Sequence, residues 1–380
     1  MKKKLAIICA NLEQLPLVEK AKEMGIETHC FSWDKEGFTQ CKGIADYFHP
    51  ISTLEKEQIL EKCKEIEVDG VTSIMNDFAV PTVAYVAQGM GLIGNNYEDS
   101  LIPANKFLAR QVYQNHGVSS PRFTLAREDV DLFGFKYPLI VKPTDGRSTM
   151  GVIKVEKEED LQDAIRCSIE SSFRKEVIIE EFIEGVEVSV DSISWNGKHY
   201  MLAIKERELT TGINCKVKTA GHWPFELPAD IIEKIKKENQ KAMDAINYRY
   251  GASNNEFRVN KDGEVFILEV NPRMAGDSSH ILMKLYNGYD IVKGVIDVAL
   301  GQFEEPVFTE TKYTGIYYLC KQTEWVKSVI ENSKQDPDIV FTEISDNELR
   351  DLRSCADRTG FFIYQSDRKR RWNENKQITI

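Results

Sequence analysis

The stretch of sequence that decides the fold runs from Asn254 to Arg273 and reads Asn-Asn-Glu-Phe-Arg-Val-Asn-Lys-Asp-Gly-Glu-Val-Phe-Ile-Leu-Glu-Val-Asn-Pro-Arg. Two runs of alternating apolar and polar residues flank the dipeptide Asp262-Gly263. An Asp-Gly pair between such runs is a strong signal for a two-residue turn in a β-hairpin. The sequence therefore predicts a hairpin in which Lys261 lies opposite Glu264.

This register gives the hairpin an apolar face and a polar face, because successive side chains of a strand point to opposite sides. Counting outward from the turn, Glu256 lies opposite Glu269. The expected apolar face consists of Phe257, Val259, Phe266, Leu268 and Val270, with Val259 opposite Phe266 and Phe257 opposite Leu268. The expected polar face consists of Glu256, Glu269 and Asn271, with Asn254 and Arg258 beside them.

The polar face holds two carboxylates in an arrangement that costs free energy. Directly opposed residues have Cβ atoms roughly 4.5–5.5 Å apart, and like charges at that spacing are destabilising. A hard cation such as Mg²⁺ offsets the cost, since carboxylate and amide oxygens are the ligands that it prefers. We therefore predict a metal site formed by Glu256, Glu269 and Asn271. The alternative is a solvated strand face on which both carboxylates meet water.

The composition is that of an ordinary soluble protein and argues against several classes of function. The 380 residues carry a formal net charge of −11, which disfavours a protein whose main role is to bind nucleic acid or an acidic membrane. No apolar run approaches the roughly 20 residues of a membrane span. The short apolar segment after Lys4 is better explained by a buried first strand than by a secretory signal. We expect a cytoplasmic protein without nucleic-acid or membrane partners.

Residues 1–100 alternate between strand and helix patterns. Such alternation predicts a parallel sheet with helices on its faces, as in nucleotide-binding domains. The loop after the first strand, from Cys9 to Gln14, lacks the Gly-x-Gly-x-x-Gly pattern that binds a dinucleotide. A dinucleotide cofactor is therefore not expected, and this domain is predicted to form one wall of a site.

A strand that ends on a lysine comes next, followed by a loop of small residues. Residues 137–143 are largely apolar and end in Lys142-Pro143, where a charge is costly unless it has a partner such as a phosphate. Residues 144–151 are rich in small residues, and their backbone amides can cradle phosphate oxygens. This is not a Walker A loop, because Val152-Ile153 stands where Lys and Ser or Thr should follow. An ordinary hairpin loop is the alternative.

Two further segments complete the pattern. Lys106 lies in a stretch, from Pro103 to Phe123, that is predicted to be one helix. The acidic segment from Glu180 to Glu187 joins one predicted strand to the next, and an exposed strand edge there could offer backbone groups to a purine. Taken singly, the segment that contains Lys106 is equally typical of a surface helix. The segment from Glu180 to Glu187 is equally typical of an acidic turn.

In their order along the chain, these segments resemble the ATP-grasp superfamily, and within it the carboxylate–amine ligases similar to L-amino-acid ligases and to the biotin-carboxylase-like branch. The resemblance is most specific at Glu256 and at Glu269-Val270-Asn271-Pro272-Arg273. It implies an α/β protein with the ATP-grasp fold, a Rossmann-like pre-ATP-grasp domain at its N-terminus and a small C-terminal α+β unit. The implied domains span 1–100, 101–305, with a mobile ATP lid at 142–183, and 306–380.

The resemblance also implies how ATP is bound. The phosphates would be held by Lys106 and Lys142, with a glycine loop that includes Ser148, Thr149 and Gly151 closing over them. Adenine would be held by Glu180, Glu181, Phe182 and Ile183, and the ribose by Glu187. Arg147 stands where the family often has glycine or serine, which leaves the loop contacts open.

The same resemblance implies the metal and catalytic residues. Glu256, Glu269 and Asn271 would hold one or two Mg²⁺ ions, with Mn²⁺ as the alternative. Arg273 and Lys142 are the implied catalytic residues, since a guanidinium fork suits the charge on a transferred phosphoryl group. The substrate-binding candidates are Lys205, Arg207, His222 and Asp277. A solvated strand or loop is the alternative for the run that contains Lys205 and Arg207.

The implied reaction is the ATP-dependent joining of a carboxylate to an amine through an acyl phosphate, with an L-amino acid as the expected substrate. One alternative is a biotin-carboxylase-like enzyme that transfers carboxyphosphate to a nitrogen, and it differs by its dependence on bicarbonate. Another is a non-catalytic ATP-binding protein. The expected partners are small-molecule carboxylates and amines, and the resemblance allows a homodimer.

Overall fold

The computed structural model of the protein describes residues 2–126, 130, 132–145, 150–209, 217–352 and 354–372. Its first sheet is four-stranded and parallel, in the order β3-β2-β1-β4. The strands are β1 (Lys4–Ile8), β2 (Glu27–Phe31), β3 (Tyr47–His49) and β4 (Gly70–Thr72), and the helices beside them are α1 (Leu15–Glu23), α2 (Lys56–Ile66) and α3 (Ala79–Met90). Strand β1 is buried on both faces, since Leu5 and Ile7 belong to one core and Ala6 and Ile8 to another. That double burial explains its continuous apolar run.

Two short helices lead from this sheet to the rest of the chain, α4 (Tyr97–Ser100) and α5 (Lys106–Asn115). Asn105 caps α5, because its side chain accepts a hydrogen bond from the amide of Leu108. The predicted continuous helix from Pro103 to Phe123 was therefore too long at both ends. Lys106 lies in the first turn of α5, where its amide donates to the carbonyl of Thr144.

A second sheet, also four-stranded, is antiparallel and has the order β5-β8-β6-β7. Its strands are β5 (Phe123–Leu125), β6 (Leu139–Pro143), β7 (Ile153–Val155) and β8 (Val177–Glu181), and helix α6 (Leu161–Glu170) packs on it. This sheet covers the predicted lid at 142–183 and extends N-terminally to β5. Whether it moves as a lid stays a prediction.

The central sheet is eight-stranded, in the order β13-β12-β9-β10-β11-β14-β16-β15. Its strands are β9 (Val186–Trp195), β10 (Lys198–Leu209), β11 (Lys218–Trp223), β12 (Gly251–Val259), β13 (Val265–Glu269), β14 (Tyr313–Leu319), β15 (Ile339–Ile344) and β16 (Gly360–Ser366). The helices of this part are α7 (Ala229–Ala245), α8 (Ser279–Asn287), α9 (Ile291–Ala299) and α10 (Trp325–Glu331). Strands β14 to β16 belong to the C-terminal segment and continue the same sheet, because β11 pairs with β14.

The hairpin of β12 and β13 has a longer turn than predicted. The amide of Asn260 donates to the carbonyl of Glu264, so residues 261–263 form the turn. Gly263 takes a positive φ of 70° in this turn, as is common in three-residue hairpin loops. The predicted two-residue turn with Lys261 opposite Glu264 was therefore wrong.

The longer turn changes which side chains face the core. Val265 and Ile267 are buried with the other apolar residues, whereas Phe266 and Leu268 are only partly buried. A change of one residue in the register moves a strand's side chains to the opposite face. The observed apolar face therefore consists of Phe257, Val259, Val265, Ile267 and Val270, and the prediction for Phe266 and Leu268 was wrong.

The predicted pairing of the two carboxylates is nevertheless found, because a β-bulge compensates for the turn. The register shifts between Glu256 and Phe257, so that Phe257 lies opposite Ile267 and Glu256 lies opposite Glu269. Bulges of this kind re-aim side chains next to active sites. Within the described part of the chain, no helix combines the length and the apolar character that crossing a membrane requires.

Candidate active site

A cavity of about 340 Å³ opens between the N-terminal domain, the hairpin and the C-terminal segment. Each part contributes side chains: Asp77 follows the N-terminal sheet, Lys106 begins α5, and Arg358 precedes β16. The central sheet and the loop after it contribute further charged and amide residues to the lining: Lys205, Arg207, Lys218, Asn254, Glu256, Glu269, Asn271, Arg273 and Asp277. The structure thus gathers most of the predicted metal, catalytic and substrate residues in one place.

The opposed carboxylates Glu256 and Glu269 each face a different cation. Glu256 forms an ion pair with Arg207, and the Lys106 ammonium lies 3.1 Å from Oε1 of Glu269. Burial raises the pKa of Glu256. Burial also acts on Glu269, but the ammonium groups of Lys106 and Lys142 outweigh it and lower the pKa of that carboxyl to about 2. Glu269 is therefore a permanent anion.

Asn271 and Arg273 follow the hairpin and are fixed by neighbouring groups. The Asn271 side-chain nitrogen donates to the carbonyl of Asn254 at 3.0 Å, which orients its Oδ1 toward the Arg273 guanidinium. Arg273 donates through Nε to Asp77 at 2.9 Å. A residue of the N-terminal domain therefore positions the predicted catalytic arginine.

Lys142 and Glu180 form a buried ionic triad with Arg110. Glu180 Oε2 accepts a hydrogen bond from Lys142 at 2.8 Å, and Nε of Arg110 lies 2.9 Å from Oε1. Although burial opposes ionisation, the pKa of Glu180 is lowered by Arg110 and Lys142. Burial lowers the pKa of Lys142, and Glu180 counteracts that effect. In the structure the Glu180 carboxylate is paired with these two cations, and its predicted contact with adenine stays a prediction.

The other predicted ATP residues lie along β8 and the start of β9. The amide of Phe182 donates to the carbonyl of Pro138, and its ring lies 4.4 Å from the Lys154 ammonium. The carbonyl of Ile183 accepts a hydrogen bond from Arg258. The carboxylate of Glu181 accepts one from the amide of Lys136. The contacts along this edge are thus made by backbone groups, by the ring of Phe182 and by a carboxylate that is already hydrogen-bonded.

Glu187 bridges two arginines. Its Oε2 accepts a hydrogen bond from Arg258 at 2.7 Å, and its Oε1 lies 3.0 Å from Arg207. Gly185, just before it, has a φ of 137°, and a Cβ there would stand 2.0 Å from the carbonyl oxygen of Val259. Only glycine therefore fits at this position, where the acidic segment from Glu180 to Glu187, which we call the hinge, crosses the hairpin.

Part of the predicted phosphate loop lies outside the described residues, including Ser148, Thr149 and Arg147. Gly151 is described, with a φ of 71° that favours glycine. At the other end of the loop, Asp145 accepts hydrogen bonds from Ser172 and from the amide of Arg174. These contacts anchor the start of the loop.

The alternation of side chains along the strands places the substrate candidates Lys205 and His222 on opposite faces of the central sheet. Lys205 lines the cavity and donates to both carboxylate oxygens of Asp191, each at 3.0 Å. His222 lies opposite Glu206 in the ladder and is buried on the other face, between Glu208 and Tyr364. Burial lowers its pKa in spite of Glu208. His222 is not among the residues that line the cavity, since its place in the ladder turns it away.

Asp277 lines the same cavity and contacts two cations. Its carboxylate lies 3.3 Å from the Lys218 ammonium and 2.6 Å from the Arg358 guanidinium. Its pKa is strongly lowered, because these two cations outweigh its burial. Asp277 and Ser278 both take positive φ values, 59° and 57°, a conformation that non-glycine residues adopt at a cost.

Sequence reasoning missed four residues of this site: Arg110, Asp77, Lys218 and Arg358. Arg110 follows Lys106 by one helical turn, so its position on the same helix face was a usable signal. No local pattern marks the other three. Asp77 and Arg358 reach the cavity only through tertiary contacts, and Lys218 lies two residues after the end of a segment outside the described residues.

Comparison with known proteins identifies the class. Residues 135–281 match the ATP-grasp domain family. The chain is 27% identical to the carbamoyl phosphate synthase large chain of Thermoanaerobacter sp. over 317 residues, which are 79% of this chain and 29% of that protein. It is 24% identical over 302 residues to the alanine–anticapsin ligase of Bacillus amyloliquefaciens, covering 70% and 63% of the two chains. The chain thus spans less than two thirds of these relatives.

The fold comparison agrees with the sequence comparison. The crystal structure of an L-amino acid ligase from Bacillus licheniformis matches with a TM-score of 0.80 and 23% identity, covering 97% of this chain and 94% of that one. The likeness extends over all three sheets. Residues 135–281 therefore match an ATP-grasp domain, and the predicted ATP-grasp fold is confirmed.

Proposed function

We propose that the protein is an ATP-dependent ligase that joins a carboxylate to an amine through an acyl phosphate, with an L-amino acid as one substrate. The observation that carries this proposal is a single cavity lined by the opposed carboxylates Glu256 and Glu269 together with Lys106 and Arg273. The ATP-grasp domain supports ATP as the phosphoryl donor. The alanine–anticapsin ligase, by its name, supports an amino acid as a substrate.

The residues at the hairpin fit a divalent cation. The two carboxylates are opposed, and the amide of Asn271 is oriented by Asn254 so that its oxygen is left as an acceptor. The described residues contain no group of three or more His, Cys, Asp or Glu suited to a metal, so the set is two carboxylates and one amide. Glu256, Glu269 and Asn271 would hold Mg²⁺ or Mn²⁺. Such an ion, when bound, neutralises phosphate charge and polarises the transferred phosphoryl group.

The basic residues would bind and orient ATP. Lys106 and Lys142 would bind its phosphates, and the Glu180 carboxylate holds Lys142 in place by a 2.8 Å hydrogen bond. The loop that includes Ser148, Thr149 and Gly151 would close over the phosphates. At the hinge, Glu181, Phe182 and Ile183 would hold adenine, and Glu187 would reach the ribose. Glu180, which pairs with Lys142 and Arg110, would also position Lys142, in addition to its proposed contact with adenine.

The chemistry has two steps. A carboxylate oxygen of the acyl donor attacks the γ-phosphorus of ATP, and the bond from that phosphorus to ADP breaks. The amine then attacks the carbonyl carbon, phosphate leaves with its electron pair, and the nitrogen gives up a proton. Arg273, aligned by Asp77, would stabilise the negative charge on the transferred phosphoryl group. No enzyme nucleophile is required.

A second candidate is transfer of carboxyphosphate to a nitrogen, after activation of bicarbonate. The similarity to the carbamoyl phosphate synthase large chain favours it. Both candidates use the same ATP and metal residues, so the substrate decides between them.

The deciding experiment is release of ADP and phosphate with Mg²⁺-ATP across single amino acids, amino-acid pairs and bicarbonate. Turnover that needs a particular pair, with a product mass equal to the pair minus water, establishes the ligase. Turnover that needs bicarbonate establishes the second candidate. Absence of ADP and phosphate release with every substrate in the panel contradicts both candidates.

A further inference from the structure

The last strand of the central sheet, β15, has a neighbouring strand on one side only among the described residues. The order of the sheet ends at β15, which pairs with β16. None of the residues of β15 lines the active-site cavity, so the proposed reaction does not use this strand. An open strand edge presents unpaired N–H and C=O groups and pairs readily with another extended chain.

The edge of β15 has little of the protection that edge strands usually carry. Val340, Phe341 and Ile344 are 44%, 39% and 37% exposed, and Glu343 is the only charged residue of the strand. A bulge shifts the register between Ile339 and Phe341, so the regular part of the edge is the part that ends at Ile344. Exposed apolar side chains on an open edge are typical of a surface that another chain covers.

The backbone of this regular part has hydrogen-bonding groups on its open side. The amide of Ser345 donates to the carbonyl of Thr359, next to β16. Backbone groups of successive residues in an antiparallel strand point alternately to its two sides, so those of Thr342 and Ile344 point away from β16. Within the described part of the chain, neither residue makes a backbone hydrogen bond outside the sheet. An added strand would supply partners for these groups.

The regular edge ends at a second cavity, of about 310 Å³, which adjoins the active-site cavity. Glu343 and Ser345 line this second cavity together with Phe361, which lies opposite Glu343 in the ladder and stacks on Phe341. The two cavities share four lining residues: Glu13, Met75, Asp277 and Arg358. A chain that lies along β15 therefore has one of its ends beside the active-site cavity.

The charges of the second cavity favour a cationic chain end. Its lining includes the three carboxylates of Glu13, Asp277 and Glu343 and one arginine, Arg358, which pairs with Asp277. Glu13 accepts a hydrogen bond from Asn11 at 3.2 Å but, like Glu343, forms no ion pair with another residue that the structure describes. An ammonium group would compensate these carboxylates, because opposite charges attract at short range.

The direction of an added chain decides which of its ends meets those carboxylates. Strand β15 runs from Ile339 toward the second cavity at Ser345. A chain that pairs with it in the antiparallel direction therefore places its N-terminus at the cavity. The sheet favours this direction, since β14, β16 and β15 pair antiparallel to one another and antiparallel pairs are the more common.

We propose that the amine substrate is the N-terminal amino group of a peptide, and that this peptide binds as an antiparallel strand along β15. This inference rests on the proposed function and names the class of its amine substrate. The neutral amine forms a bond to the carbonyl carbon of the acyl phosphate, the bond from that carbon to the phosphate oxygen breaks, and the nitrogen releases a proton to water. The product is the peptide lengthened at its N-terminus.

The test lets two amines compete in one reaction with Mg²⁺-ATP and the twenty amino acids as acyl donors. One is a heptapeptide amide of alternating valine and threonine, and the other is the valine–threonine dipeptide amide. The ratio of lengthened products, measured by mass spectrometry, gives the ratio of their kcat/KM values. We expect the heptapeptide to be preferred at least about tenfold, which corresponds to about 1.4 kcal/mol. A heptapeptide with methylated backbone nitrogens beyond its second residue should react like the dipeptide, because it lacks donors for the edge.

A variant then assigns the preference to β15. Ile344→Lys should bring the ratio close to one with the KM for ATP unchanged, because a lysine on an open edge opposes strand pairing. Val307→Lys is the matched control, because Val307 is also an exposed apolar residue but lies outside the strands and helices. An unchanged preference in a folded Ile344→Lys protein overturns the assignment. Because the wild-type comparison needs no variant, a variant that fails to fold does not remove the test.

The outcomes separate the two proposals. Equal lengthening of heptapeptide and dipeptide leaves the ligase function standing and overturns the inference. A wild-type dimer that Ile344→Lys dissociates in analytical ultracentrifugation also overturns it, because a second copy then covers the edge. So does reaction of an N-acetylated heptapeptide through a free C-terminal carboxylate, since the chain then binds in the opposite direction. Absence of ADP release with every peptide and every amino acid overturns the proposed function itself.

Discussion

The buried triad of Arg110, Glu180 and Lys142 should be a main support for the lysine that is proposed to bind phosphate. Arg110 joins helix α5 to two sheets, because it contacts Glu180 on β8 and donates to the carbonyl of Leu268 on β13 at 2.7 Å. Its side chain is 2% exposed and that of Glu180 is 4% exposed. We predict that Arg110→Met, which keeps the length of the side chain but removes its charge, strongly destabilises the protein.

The magnitude follows from the contacts that are lost. Breaking a buried ion pair costs about 3–5 kcal/mol, and leaving a carbonyl without its donor costs about 1–3 kcal/mol. Lys142 still compensates Glu180 in the variant, which places the expected loss of unfolding free energy near the lower end of the summed range, at about 4–5 kcal/mol. Arg110→Lys should lose an intermediate amount of unfolding free energy, because lysine keeps the positive charge but lacks the forked guanidinium.

The assay is equilibrium urea unfolding, followed by far-ultraviolet circular dichroism and by tryptophan fluorescence. Arg166→Met serves as the control, because Arg166 also pairs with an acid on a helix, that of Asp163, but its side chain is 72% exposed. An exposed pair of this kind contributes about 0–1 kcal/mol. A loss below about 1 kcal/mol in Arg110→Met, or an equal loss in both variants, would refute the reasoning.

Three further predictions test the metal site, the close backbone approach at Gly185 and the charge of Lys218. Glu269→Ala should abolish ADP release while circular dichroism stays native, and normal turnover in that variant would exclude the metal assignment. Gly185→Ala should lower the unfolding free energy by at least about 2 kcal/mol, because its Cβ would stand 2.0 Å from a carbonyl oxygen; Gly43→Ala, with open space around it, is the control that should stay within about 0.5 kcal/mol. The kcat/KM for the acyl donor should fall as the pH rises through about 8, because burial lowers the pKa of Lys218, which lines the cavity, to about 8 and its positive charge is lost there. Lys218→Arg should remove that fall, and an identical pH profile in both proteins would contradict it.

The hairpin illustrates what a local pattern can and cannot determine. Opposed Glu256 and Glu269 were predicted from alternation and a turn signal, and the structure has that pair. The predicted two-residue turn was wrong, since the structure has a longer turn and a bulge instead. Turn length and bulges depend on packing against neighbours such as Ile231, whose side chain lies 2.9 Å from the Cβ position of Gly263, and this packing is absent from a strand pattern.

His222 and Arg207 show a second limit. Both are basic residues on neighbouring strands, and the sequence favoured His222, because a solvated strand or loop was the alternative for the run that contains Arg207. The ladder pairs His222 with Glu206 and Arg207 with Gly221, so the two side chains point to opposite faces. Only the register of β10 against β11 assigns Arg207 to the cavity and His222 to the core.

The sequence by itself determined the class of fold, through the order of its segments, and the opposition of Glu256 and Glu269. These are local properties, since strand alternation and two carboxylates beside an Asn-Pro-Arg run are readable over short distances. The tertiary structure decided which cations meet which anions: Asp77 aligns Arg273, Arg110 shares Glu180 with Lys142, and Arg358 joins Lys218 at Asp277. These partners lie far apart along the chain, and their pairing depends on the burial and distance that only the folded sheets define.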